Sequence, residues 1–369
     1  MGSIQRIDRP KPWRARYRAP DGRQISKSFR RKVDAERWLL LEEGDVLAGR
    51  WHDPSLGAEP FAHYCEKWLE GRRPLVAEKT GYNTEVLVRG RSMPDFGDKQ
   101  LQQITTKAVR DWQSAMLREG LSPATVRTYR QVLGQVLRQA VADGLIPAHP
   151  VEDVEVPVAR PRRQLFLPAD ELEELADAAG RFGPLVSFLG WSGLRFGEAA
   201  ALRVRNVDPG SRRIRVEESV TEVGGRLEFG PPKTHETRTV IVPGYVVERI
   251  APLRDGKGPD GLVFTAPQGG TVRLGNFRRR VFAPAAASIG KPDLLPHDLR
   301  DTAASLAISS GASIKAIQRM LGHASAAMTL DVYGSLFEED LEALANQMEK
   351  RYGKPTSTPD ADTSPSDSS

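Results

Sequence analysis

Residues 192–198 read Ser192-Gly193-Leu194-Arg195-Phe196-Gly197-Glu198. The apolar run PLVSFLGWS (184–192) before it has the length and composition of a buried helix, and Gly193 is the kind of residue that ends one. A second short helix is expected to begin after it. That puts Arg195 at a helix start, where backbone N–H groups also point outward and an anion is welcome. Taken alone, the heptad is more readily a surface arginine beside a helix cap.

Three more patterns follow in the same part of the chain. Pro231-Pro232-Lys233-Thr234-His235-Glu236-Thr237-Arg238 lies between two predicted strands. A lysine on such a hairpin loop can swing into a site and deliver a proton, although most loop lysines are simply solvated. Pro296-His297-Asp298-Leu299-Arg300-Asp301-Thr302 reads as a helix start. His297 and Arg300 are then three apart on one face, where one phosphate could meet both. Met320-Leu321-Gly322-His323-Ala324 places His323 after a glycine turn, opening a new helix. Tyr333 comes ten residues later, in MTLDVYGSLF. A tyrosine there is otherwise an ordinary buried amphipathic residue.

Outward from these patterns the chain reads as three folded parts and a tail. Residues 1–55 hold WRARYRAP and RQISKSFR around Asp21-Gly22, a hairpin signature. A helical stripe of Ala35, Trp38, Leu39, Glu42 and Val46 follows, giving a small β-sheet plus one helix. Residues 6–37 carry 12 Lys and Arg against four acids. Arg14, Arg16 and Arg18 alternate along the first strand, as a DNA-phosphate surface or a solvated basic face would. Residues 56–160 read as helices. One has Phe61, Tyr64, Cys65, Trp68 and Leu69 on one face. Another starts at a Thr cap and ends at Gly120. The longest starts at Ser122-Pro123 and ends at Gly144. It has Val126, Tyr129, Val132, Leu133, Val136, Leu137 and Ala140 inward and Arg127, Arg130 and Arg138 outward. The Pro-rich stretch IPAHPVEDVEVPVARPRR (146–163) reads as an interdomain linker. Residues 164–352 mix helices with strands in RRIRVEES, RLEFGPP and RTVIVP, with Gly224-Gly225 as a turn. Residues 353–369 lack large apolar side chains and are expected to be disordered. The predicted fold class is multidomain, mainly α with α+β parts.

Bulk properties narrow the field. The 369 residues exceed one ordinary domain. A 39% hydrophobic and 27% charged composition suits a globular protein. The net charge of +5 and a pI of about 9.3 permit a nucleic-acid partner without requiring one. Cys65 is the only cysteine, so an internal disulfide and cysteine-rich zinc sites are excluded. No apolar run is long enough for a membrane helix, and MGSIQRIDRPKPWR lacks a signal-peptide core. The expected location is the cytoplasm.

Each pattern is weak alone, but their order is specific. The chain resembles the tyrosine recombinases, and among them the phage and mobile-element integrases. The likeness covers nearly the whole chain and is sharpest over residues 190–340. The family's pattern is an arginine in a Gly-Leu-Arg-x-Gly-Glu turn, a hairpin lysine, a His-x-x-Arg helix, a Leu-Gly-His turn and a tyrosine about ten residues on. Here Arg195, Lys233, His297 with Arg300, His323 and Tyr333 match it. Asp301 departs at a flanking position where many relatives carry a second histidine. The resemblance implies an N-terminal arm-binding domain (1–55), a helical core-binding domain (56–160) and a mixed α+β catalytic domain (164–352). Core-binding and catalytic domains would clamp duplex DNA as a C, with Val156–Arg163 as the connection.

The chemistry agrees with the resemblance. A phosphodiester gains charge on its oxygens as it is attacked, and Arg195 and Arg300 can each donate forked hydrogen bonds to them. His323 can add a third donor. A free phenol has a pKa of about 10, so Tyr333 needs help as a nucleophile, and His297 is the candidate general base. Lys233 is the candidate acid for the departing 5′-hydroxyl. Glu198 braces the site or simply complements a helix N-terminus. A 3′-phosphotyrosyl bond preserves the bond energy, so rejoining needs no ATP. No carboxylate cluster with metal-ligand character accompanies the motifs, and no metal or other cofactor is expected.

The implied partners are double-stranded DNA attachment sites, further copies in a homotetramer, an excisionase and a host DNA-bending protein, without a membrane. The implied location is the bacterial cytoplasm or nucleoid. Phe337, Leu341, Leu344 and Met348 form a stripe that either packs at home or, by resemblance, docks on a neighbouring protomer. Tyr333 is expected to act within its own protomer's site. A topoisomerase, a non-catalytic DNA-binding regulator and a metal-dependent nuclease are the competing readings.

Overall fold

In the computed structural model of the chain, the residues described are 2–49, 51, 53, 55–158, 164–232, 236–338 and 341–352. At 335–338, 341–344 and 347 only the backbone is described. The chain divides into two compact units, 1–161 and 162–369.

The first unit begins with an antiparallel sheet of β1 (Ser3–Arg6), β2 (Trp13–Arg18) and β3 (Gln24–Phe29), in that order. The expected hairpin is β2–β3, in register from Trp13↔Phe29 to Arg18↔Gln24. Its turn needs Gly22 at φ +85°, a conformation that costs glycine little. Strand β1 was not predicted; SIQR has a single large apolar residue and so too little alternation to read. Ala15, Tyr17 and Ala19 are buried under helix α1 (Lys32–Leu47), beside Ala35 and Leu39 of that helix. Alternation therefore leaves Arg14, Arg16 and Arg18 on the opposite face of β2. The Tyr17 hydroxyl donates to Glu42 at 2.8 Å and accepts from Trp51 Nε1 at 2.7 Å.

The rest of this unit is helical: α2 (Phe61–Arg72), α3 (Glu78–Leu87), α4 (Met93–Phe96), α5 (Thr106–Arg118) and α6 (Pro123–Ala142). Thr105 and Ser122 cap α5 and α6 by accepting backbone N–H groups at 3.2 Å. The predicted stripe residues meet in one core, where Phe61, Cys65, Val126, Leu133, Val136 and Leu137 are fully buried.

Two expectations are corrected here. The stretch from Ile146 is not a free linker, because Ile146, Val151 and Val154 are buried in the helical core. Polar side chains hold its backbone: Arg130 donates to the carbonyls of Val151 (2.6 Å) and Val154 (2.9 Å), and Gln113 to Glu155 (3.1 Å). For the same reason Arg130 is half-buried rather than outward-facing, and burial lowers its pKa. Arg127 is exposed and donates to the Pro157 carbonyl at 3.0 Å. Residues 159–163, the end of the expected linker, lie outside the described residues.

The second unit centres on α8 (Gly183–Ser192), whose Leu185, Val186, Phe188 and Leu189 are all buried. A helix apolar on every side belongs inside a core. It is covered by α7 (Ala169–Ala178) and α13 (Asp298–Ser309). After α8 come α9 (Phe196–Ala200), β4 (Val207–Asp208), β5 (Arg213–Val216), β6 (Ser219–Val223), β7 (Arg226–Gly230) and β8 (Arg238–Ile241). Then follow α10 (Gly244–Ile250), α11 (Leu274–Phe277) and α12 (Ala283–Ser288), which precede α13. Helices α14 (Ile314–Leu321), α15 (Ala326–Glu338) and α16 (Leu341–Tyr352) follow it.

The strands form a sheet of order β4-β5-β8 and a separate β6–β7 hairpin turning at Gly224-Gly225. The predicted run RRIRVEES is split between β5 and the start of β6. Strands β7 and β8 lie in different sheets, so the segment between them links two sheets and does not close one hairpin. Lys233 itself lies outside the described residues, as do 353–369 and the side chains of Phe337, Leu341 and Leu344. Met348 is exposed.

Candidate active site

The site is assembled where the buried helix α8 ends. Gly193 adopts φ +65°, and a Cβ on it would sit 2.7 Å from Leu321 Cδ2. Glycine is thus required twice over, for the left-handed turn and for the close approach of α14. The turn buries Leu194 and sets Arg195 just ahead of α9, its side chain 28% exposed. Glu198 reaches back and accepts the Arg195 backbone N–H at 2.9 Å and the Arg195 guanidinium at 3.2 Å. That backbone donor is therefore taken by the carboxylate, and an anion here meets the arginine side chain.

Glu198 is 1% exposed, and the group that balances its charge is Arg238, at the start of β8. Arg238 donates to the two carboxylate oxygens at 3.0 and 2.6 Å and, through Nε, to the Met320 carbonyl at 3.2 Å. Burial works to raise the Glu198 pKa, but Arg238 and the Arg195 N–H bring it below the ordinary value. Glu198 thus complements a helix start and ties Arg195 to Arg238. No local motif marks Arg238 in the sequence, because its partner Glu198 lies 40 residues away.

Arg300, in the first turn of α13, is 4% exposed. It donates to the carbonyl of Gly193 at 2.6 Å and of Leu321 at 2.5 Å, joining the ends of α8 and α14. Burial and the nearby Arg195 charge lower its pKa to about 10, so it remains a cation at neutral pH. His297 occupies the N-cap position of the same helix without a side-chain capping bond, and it is exposed.

His323 follows the left-handed Gly322. It stays in the turn, because α15 starts only at Ala326, three residues later than expected. Its Nδ1 lies 3.0 Å from the Thr329 hydroxyl, and Thr329 is fully buried. Burial, reinforced by Arg300, Arg195 and Arg238, lowers the His323 pKa to about 4. The imidazole is therefore neutral at pH 7. Either Nδ1 or the Thr329 hydroxyl can donate in this contact, and the tautomer in which Nδ1 accepts carries its proton on Nε2.

Tyr333 is 1% exposed, and its ring packs in a cluster with Ala304, Ile308, Ile317 and Leu321. Its hydroxyl donates to Asp301 Oδ1 at 2.6 Å. Burial and this carboxylate push the phenol well above its ordinary pKa. Asp301, read from sequence as a flanking position, thus touches the phenol oxygen.

The structure brings Arg195, Glu198, Arg300, His323 and Tyr333 into one linked cluster and adds Arg238 and Asp301. Two guanidiniums, Arg195 and Arg238, bond to the Glu198 carboxylate; with Arg300 and Asp301 counted, the cluster sets three guanidiniums against two carboxylates, a positive surplus suited to an anion. Arg14, Arg16, Arg18, Arg127 and Arg130 belong to the other compact unit. Among the described residues, no group of three or more His, Cys, Asp or Glu is placed to hold a metal ion. No helix among them is long and apolar enough to cross a membrane.

Residues 166–340 match the Phage integrase family, and residues 60–117 match the phage integrase N-terminal SAM-like domain. A putative prophage phiRv2 integrase of Mycobacterium tuberculosis is 30% identical over 86% of this chain and 87% of its own. The integrase of Mycobacterium phage L5 is 31% identical over 88% of this chain and 90% of its own. Among solved structures, the Tn1549 transposon integrase in complex with transposon right end DNA superposes with a TM-score of 0.66. It is 22% identical and covers 78% of this chain and 100% of its own. A lambda integrase tetramer bound to a Holliday junction gives a TM-score of 0.58 at 18% identity, over 86% of this chain and 91% of its own.

The chain belongs to the phage integrase family. It is a tyrosine site-specific recombinase of the phage and mobile-element type, with the mixed multidomain fold of that family.

Proposed function

We propose that Tyr333 is the nucleophile, that Arg195, Arg300 and His323 hold the scissile phosphate, and that the product is a 3′-phosphotyrosyl bond. The observation that carries this reading is Arg300, whose two backbone bonds tie the Arg195 turn to the Leu321 turn and whose positive charge acts on Tyr333. The arginines neutralise the charge that develops on the non-bridging oxygens. Neutral His323 adds an Nε2–H donor. Lys233 supplies the proton to the departing 5′-oxygen. The phosphotyrosyl bond stores what the phosphodiester held, so the 5′-hydroxyl of a second strand reverses the step without ATP or metal.

The substrate is a double-stranded attachment site. The basic face of β2 at Arg14, Arg16 and Arg18 suits separate arm sites and adds affinity through a second contact. Arg127 suits the core site, lining with Arg138 and Arg130 a basin of about 450 Å³. Arg130 shapes that surface by holding the 151–154 backbone. We assign residues 1–55 to arm binding, 56–160 to core binding and 164–352 to catalysis. The active species is a homotetramer on DNA, with the C-terminal helix docking on a neighbour and Tyr333 acting within its own protomer. An excisionase and a host DNA-bending protein are accessory partners, and the setting is the bacterial cytoplasm or nucleoid.

A trapping assay tests the central step. The protein is incubated in EDTA with nicked suicide DNA carrying the attachment sequence. A covalent adduct that forms with the parent and not with Tyr333→Phe supports the reading. Binding without an adduct on a verified site points to a non-catalytic regulator.

A further inference from the structure

The mechanism requires something to take the Tyr333 proton, and the exposed His297 was the residue expected to do so. The phenol is 1% exposed, so bulk water cannot reach it freely. Its hydroxyl already donates to a carboxylate, Asp301 Oδ1, at 2.6 Å. Asp301 directly follows Arg300 in the first turn of α13, so one turn carries a phosphate-binding cation and an acceptor for the nucleophile's proton. Among the described residues, the charged groups acting on the phenol are these two; Arg195, Glu198 and Arg238 in turn surround Arg300, and His323 lies beside the same arginines.

We propose that Asp301 is the catalytic proton acceptor for Tyr333. This rests on the reading of Tyr333 as the nucleophile. In the step, the Oη–H bond breaks and its proton passes to Asp301 Oδ1 as the Oη electron pair bonds to phosphorus. The P–O5′ bond breaks, and the 5′-oxygen leaves with that pair and takes a proton from the general acid. On rejoining, Asp301 returns its proton to the departing phenolate. An aspartate placed on an attacking hydroxyl is a chemically sound arrangement for phosphoryl transfer. The neighbouring Arg300 charge offsets the cost of forming phenolate character beside a carboxylate.

The test is single-turnover cleavage of nicked suicide DNA by the parent and by Asp301→Asn, Asp301→His, Asp301→Glu and Tyr333→Phe. Asp301→Asn should bind DNA like the parent and cleave about 10²-fold more slowly at pH 7. Its rate should climb about tenfold per pH unit as the fraction of Tyr333 present as phenolate rises, whereas the parent stays flat. Asp301→His should recover activity as its imidazole deprotonates, near pH 6.5. A 5′-phosphorothiolate substrate, whose leaving group needs no acid, should leave the Asp301→Asn defect in place.

An Asp301→Asn protein that cleaves as fast as the parent, or faster, overturns the proposal and makes the contact a restraint on the nucleophile. So does a defect that the sulfur leaving group removes. If Asp301→Asn does not fold, the pH profiles of the His and Glu variants decide, because a merely structural aspartate would not impose an imidazole titration on the rate. An adduct that persists in Tyr333→Phe overturns the nucleophile reading itself, and is distinguished from failure of the Asp301 assignment by that variant alone.

Discussion

Glu198 and Arg238, 40 residues apart in sequence, form a two-pronged ion pair at 3.0 and 2.6 Å, with side-chain exposures of 0% and 10%. Such a pair matters chiefly through what happens when half of it is removed. Glu198→Ala leaves a nearly buried guanidinium uncompensated and should cost about 3–5 kcal/mol of stability. The double variant Glu198→Leu/Arg238→Met should be more stable than either single variant. Urea denaturation of the parent, Glu198→Ala, Glu198→Leu, Arg238→Met and the double variant measures this, and additive losses would contradict it.

The Gly193 turn is a second sensitive point. Alanine there meets both the left-handed backbone and Leu321, so Gly193→Ala should lose about 1–3 kcal/mol. It should also displace the carbonyl that Arg300 uses, lowering cleavage by more than the stability loss explains. Thermal melting with cleavage rates measured well below the midpoint separates the two effects.

Arg300→Lys keeps a charge but cannot join two carbonyls while presenting a forked donor to phosphate. Cleavage should fall about 10²–10³-fold with DNA binding nearly unchanged. Gel-shift affinity and single-turnover rates on the same DNA check this together.

His323 gives a pH signature. Its folded pKa of about 4 lies below the ordinary 6.5, so between these values the unfolded chain binds more protons than the folded one. Its contribution to stability is present above pH 6.5 and is lost as pH falls toward 4. His323→Gln should flatten the stability-versus-pH curve in that window, as read by denaturant midpoints at half-unit steps.

Much of this site was legible in the sequence, and what was missed has a common cause. Gly193, Arg195, Arg300, Gly322 and His323 announce themselves because each sits at a local signal, a helix end or a glycine turn. The β2–β3 hairpin and the α5 and α6 caps were legible for the same reason. Arg238 and Asp301 gave no such signal. Their meaning depends on partners 40 and 32 residues away, Glu198 and Tyr333. The stretch Ile146–Val154 was misread because proline marks a break in regular structure, whether or not neighbouring apolar residues are buried.

The arm-site role proposed for the basic face of β2 can be tested apart from catalysis. Replacing Arg14, Arg16 and Arg18 with alanine should weaken binding to arm DNA and reduce the salt slope by about 3. Cleavage of a short core-only suicide substrate should stay at the parent rate. Affinities at several salt concentrations, set beside that rate, check both halves.

The most direct test of the central claim is to find where the DNA is attached. The trapped adduct, end-labelled on either side of the break, is digested with protease and nuclease and sequenced by tandem mass spectrometry. The expected product is a nucleotide joined through its 3′-phosphate to Tyr333, with a free 5′-hydroxyl on the other fragment. A 5′-linkage, or attachment at any residue other than Tyr333, would contradict it.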